Sequence, residues 1–64
     1  MKFKFYGTFN WHGELHNLWT TAESKESAYK YFITRLAEIL NRSRRSVLVY
    51  FNDESKDNWK IRRR

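Results

Sequence analysis

His12 and His16 stand four residues apart, with Glu14 between them. On a helix that spacing would align two imidazoles for a metal, and Glu14 beside His16 has the makings of an acid–base pair. The residues around them read as a turn and a strand, however, and no cysteine or fitting acidic residue completes a ligand set. There is also no glycine-rich phosphate loop and no nucleophile motif. A 64-residue chain seldom builds the enclosed pocket that tunes such groups. The sequence points away from catalysis, and it assigns no catalytic residue, no metal ligand and no cofactor.

Rings and cations are the chemistry the chain has in quantity. Aromatic residues make up 19% of it, and 13 basic against 7 acidic residues leave a formal charge of +6. So basic a balance favours an anionic partner, either nucleic acid or the acidic surface of a protein. Three rings, Tyr6, Trp19 and Tyr50, fall at positions expected to be displayed, with Leu15 and Leu48 near them. Lys2, Lys4, Lys60, Arg62 and Arg64 are expected around that patch. Rings for base stacking beside cations for phosphates suit single-stranded nucleic acid. The same patch suits a protein partner, a second copy of the chain included, and charge can serve solubility alone. Arg42, Arg44 and Arg45 form a second basic element near a helix C-terminus, where positive charge is favourable in any case.

The elements that must position these residues follow from periodicity. Phe3, Phe5, Gly7, Phe9 and Trp11 alternate with Lys2, Lys4, Tyr6, Thr8 and Asn10, the period-two pattern of a half-buried strand. His12-Gly13 reads as a tight turn into a second strand, about 14 to 21. A two-residue loop pairs Trp11 with Glu14 and Tyr6 with Trp19, which leaves the last two as an outward cross-strand pair. A loop one residue longer would bury Trp19 instead. From Ser24, a plausible N-cap, the period changes. Ala28, Tyr29, Phe32, Ile33, Leu36, Ile39 and Leu40 then recur at helical spacing over roughly 18 residues. "NRSRRS", 41 to 46, reads as a polar connector, and "VLVYFN", 47 to 52, as a strand with Val47, Val49 and Phe51 toward the helix. "DESKD", 53 to 57, reads as a turn. "NWKIRRR" closes as a strand, with Trp59 and Ile61 inward.

The expected fold is α+β: a small antiparallel sheet in β-β-α-β-β order, a single domain over residues 1–64, covered on one face by one amphipathic helix. One helix covers one face, and the other face is left for function. The absence of cysteine suggests a reducing compartment. No run approaches the length of a membrane span, and Met1-Lys2-Phe3-Lys4 alternates where a signal peptide would be continuously apolar. The expected location is cytoplasmic, without a membrane partner.

"FYGTF" at 5 to 9 and "LVYFND" at 48 to 53, with a short hairpin and an amphipathic helix between them, resemble the Dmd-type antitoxins of T-even bacteriophages. Phe5, Gly7, Phe9 and Phe51 carry the likeness residue for residue, with Asp53 close behind. The resemblance implies a phage protein in the host bacterial cytoplasm. It would bind and inhibit an endoribonuclease toxin of the RnlA/LsoA kind by occluding its active groove. A protein that takes over some other host enzyme is a related possibility.

Overall fold

A computed structural model describes residues 1–52 and 58–64. The chain order is β1 (Phe3–Trp11), β2 (Glu14–Ala22), α1 (Lys25–Leu40), α2 (Arg44–Tyr50) and β3 (Trp59–Arg63). The class is α+β, with three antiparallel strands in the order β2-β1-β3. Among the described residues no helix is long and apolar enough to cross a membrane.

The β1–β2 register is the one that a two-residue loop dictates: Trp11 lies opposite Glu14, Tyr6 opposite Trp19 and Phe3 opposite Ala22. His12 and Gly13 both have positive φ, 49° and 90°, which is the turn whose twist matches that of the strands. The Asn10 side-chain oxygen accepts from the Gly13 N–H at 2.7 Å and holds the turn from below.

Odd positions of β1 face the core. Phe5, Phe9, Ala28, Phe32, Ile33, Leu36, Val47, Phe51 and Ile61 form one buried cluster. Phe9 sits at its centre, edge-on to Phe32 and Phe51 and stacked with Trp59. Gly7 makes room for it. A Cβ built on Gly7 would lie 2.7 Å from a Phe9 ring carbon and 2.9 Å from one of Phe32, so only glycine admits so close an approach of α1.

α1 begins where the sequence places it. Ser24 is extended and its hydroxyl accepts from the Ser27 N–H at 3.2 Å. The helix ends at Asn41, left-handed at φ 55°, where the N–H groups of Asn41 and Arg42 return to the carbonyls of Glu38 and Ala37. Ile39, expected on the apolar side, is exposed.

The expected strand at 47–52 is not a strand. Residues Arg44–Tyr50 are helical, so the element order is β-β-α-α-β, with two helices where one was expected, and the connector supplies the first turn of α2. Val47 and Phe51 are buried as expected, but they are i and i+4 on a helix, and Val49 is 63% exposed. Two causes favour helix over the β-branched preference of the segment. Ser43 caps it, accepting from the Ser46 N–H at 3.2 Å, as Ser24 does for α1. Packing on α1 is the second, since it buries Val47 in the core. The expected turn at 53–57 lies outside the described residues, and Asp53 with it.

The last strand conforms. Ile61 is buried and Trp59 half-buried, its indole N–H donating to the Asn52 carbonyl at 3.0 Å. Both helices lie on the odd-numbered side of β1, since Phe32 of α1 and Phe51 at the end of α2 meet Phe9 there. Among the described residues no element covers the even-numbered side.

Candidate functional site

Pairing fixes what the bare face displays. β1 contributes Lys4, Tyr6, Thr8 and Asn10; β2 contributes Leu15, Asn17, Trp19 and Thr21 opposite them. β3 places Lys60 opposite Thr8 and Arg62 opposite Tyr6. Side chains on one face of a sheet alternate with those on the other, so these ten form a single surface. None of the ten is a carboxylate.

The centre is the Tyr6–Trp19 pair. Trp19 is 59% exposed. The Lys4 ammonium stands 4.7 Å from the Trp19 ring and 5.7 Å from the Tyr6 ring, a cation shared between two π faces. On the other side of Tyr6, Arg64 Nη1 donates to the phenol oxygen at 3.4 Å, and the Arg64 N–H donates to the Lys4 carbonyl at 2.9 Å. The Tyr6 hydroxyl is held below the ordinary tyrosine pKa, first by this hydrogen bond from Arg64. Lost hydration opposes the shift, and Lys4 adds to it. Thr8 and Asn17 join across the strands through a 3.1 Å side-chain hydrogen bond. The surface carries two rings, Tyr6 and Trp19, fringed by Lys4, Lys60, Arg62 and Arg64.

The expected site residues divide into two groups. Lys4, Tyr6, Trp19, Lys60 and Arg62 come together on this face. Tyr50 does not, and it must be removed from the site. It lies on α2 on the covered side, ringed by Trp11, His12 and Phe51, and its hydroxyl accepts from the His12 N–H at 3.3 Å. The expectation failed because it took 47–52 as a strand, whose alternation would have put Tyr50 and Leu48 with Tyr6. Arg42, Arg44 and Arg45 also belong to the helical layer. The Arg42 N–H closes the end of α1, and Arg44 Nε donates to the Thr34 hydroxyl at 3.0 Å. The three arginines therefore do not extend the sheet surface.

Arg63 and the residues in and beside the turn refine the picture. Arg63, between two cations of the bare face, points the other way and lies over the Phe3 ring at 4.5 Å. Glu14 Oε1 comes within 3.0 Å of His16 Nε2, off the line of a hydrogen bond, which leaves that shielded nitrogen without one. His12 meets Trp11 edge-on and lies tilted against Tyr50 at the turn. Among the described residues no three His, Cys, Asp or Glu side chains converge as a metal site would require.

No family model, curated protein or solved structure matches the chain. Its site is read from its own geometry.

Proposed function

We propose that the chain is a non-catalytic binding protein and that its bare sheet face takes single-stranded nucleic acid. One observation carries the reading: Lys4 spans Tyr6 and Trp19 at 5.7 and 4.7 Å, on a surface that adds Lys60 and Arg62 and no carboxylate. Bases have two faces and can stack on open rings regardless of sequence, each stack contributing about 1–3 kcal/mol. Phosphates spaced along the strand meet the cations at the margin. Displayed rings suit a splayed single strand, because a duplex would hide its bases from them.

The test is binding of a labelled oligonucleotide as salt is raised. Displacement of counterions by a few cations predicts a log–log slope of roughly −0.7 per phosphate contacted. The expected result is tight binding at low salt that weakens with that slope. Absence of binding at low salt would remove the reading. The face would then belong to a protein with an acidic surface, for which the antitoxin resemblance offers the concrete case of an endoribonuclease toxin whose groove is occluded. Rescue of growth on co-expression with such a toxin is its separate readout. The residues that carry that resemblance, Phe5, Gly7, Phe9 and Phe51, are core residues here, so they support shared packing more than a shared binding surface.

A further inference from the structure

The two free edges of the sheet are unlike. β3 forms one edge and carries Lys60, Arg62 and Arg63 in five residues. Charge along an edge is a common defence against pairing with another strand. β2 forms the other edge. After Glu14 it runs Leu15 to Ala22 without a charged residue or a proline, and it pairs with β1 through nine consecutive positions without a bulge. From Leu15 on, the strand itself carries none of the charge, proline or bulge that usually protects an edge.

The peptide groups on that edge can be assigned. The Lys4 carbonyl accepts from Arg64, so the backbone of Lys4 is turned toward β3. Its partner Thr21 is then turned away from β1, because opposed residues of a non-hydrogen-bonded pair both point outward. Alternation extends this to Trp19, Asn17 and Leu15. Four N–H and four C=O groups thus line the open edge. Trp19 flanks it on the bare side, and Tyr31 and Arg35 of α1 border it on the covered side.

We propose that β2 pairs antiparallel with β2 of a second copy of this chain, joining two sheets into one of six strands. Charge selects the occupant. In a chain of net charge +6, two copies repel wherever cations meet. β2 is uncharged from Leu15 to Ala22, and the cation that borders it, Arg35, lies 3.9 Å from the Glu38 carboxylate, so this edge is where a like partner approaches at least cost. An anionic peptide would be drawn to the cationic β3 edge instead. A twofold centred on Leu18 satisfies all four outward residues, setting Leu15 against Thr21 and Asn17 against Trp19 of the second copy. Leu18 then meets its own counterpart on the covered side, Glu14 meets Ala22, and no two charges are opposed. On the bare side the two Trp19 rings become diagonal neighbours, within reach of each other. The result is one continuous strip of Tyr6 and Trp19 rings from both copies.

The test needs no nucleic acid and so stands apart from the function proposed above. Sedimentation measured from micromolar to millimolar protein should show a single step from monomer to dimer. Amide exchange followed over the same range should slow at Leu15, Asn17, Trp19 and Thr21 as dimer forms. The amides of His16, Leu18 and Thr20, already bonded to β1, should be protected at every concentration. Asn17→Pro removes an outward N–H that β1 does not use, and this variant should stay monomeric. Should it fail to fold, the exchange pattern of the unaltered chain decides. A monomer at all concentrations would overturn the proposal. So would a dimer whose four outward amides exchange as they do in the monomer.

Discussion

The two faces of β1 are made from one strand and obey different rules. At Phe5, Gly7 and Phe9 every atom is committed: Phe9 meets three other rings, and Gly7 is glycine because Phe32 occupies the space of a side chain. At Lys4, Tyr6 and Thr8, one residue away, the contacts are to side chains of the same face: Lys4 with the Tyr6 and Trp19 rings, Arg64 with the Tyr6 hydroxyl and Asn17 with Thr8. Large apolar groups on the first face are there for cohesion. The Trp19 ring opposite Tyr6, 59% exposed, contributes little to cohesion. Burial on one side and display on the other, at adjacent positions, separate the residues that hold the molecule from those free to engage a partner.

Substitutions should break this contrast in graded ways. Phe9→Ala should have the largest effect, a loss of about 3–5 kcal/mol measured by urea denaturation, enough to unfold so small a chain. Gly7→Ala forces a methyl against Phe9 and Phe32 and should cost about 1–3 kcal/mol. On the displayed face, Trp19→Ala should leave the denaturation midpoint almost unmoved while weakening oligonucleotide binding by about 1–3 kcal/mol. A large loss of stability in that variant would show that the display reading is wrong. Ser43→Ala should cost about 1 kcal/mol, close to the effect of Ser24→Ala, if the two helices start by the same device.

The smallest effect concerns Tyr6. Its hydroxyl should ionise below the ordinary tyrosine value when followed by ultraviolet absorbance, and Arg64→Ala should move it back up. Because the folded pKa is lowered, the stability linked to it is full only above the unfolded tyrosine value. It is lost as pH falls through the folded one, and it is therefore absent at neutral pH.

Much of this contrast could be read before any coordinates. Alternation from Phe3 to Trp11 named the two faces, but the hairpin register stayed open, since a loop one residue longer than His12-Gly13 would have put Trp19 in the core; the structure has the two-residue loop. Residues 47–52 were illegible for a physical reason. Val47, Val49 and Phe51 satisfy a period of two, while Val47, Tyr50 and Phe51 satisfy a helical one, and short apolar runs do not choose between them. The choice was made by the Ser43 cap and by packing on α1. A signal was available: Ser43 and Ser46 repeat the spacing of Ser24 and Ser27, and in both pairs the first serine accepts from the N–H of the second. Taking the second pair as a cap would have moved Tyr50 off the displayed face and Arg44 into a helix.

The central claim is that the uncovered face is the one that binds. A nuclear magnetic resonance titration of the labelled protein with a short single-stranded oligonucleotide at low salt tests it residue by residue. The account predicts shifts at Lys4, Tyr6, Trp19, Lys60 and Arg62, with Phe9, Phe32 and the α2 residues left in place. Shifts confined to Arg42, Arg44 and Arg45 on the helical layer, or no shifts at all, would contradict it.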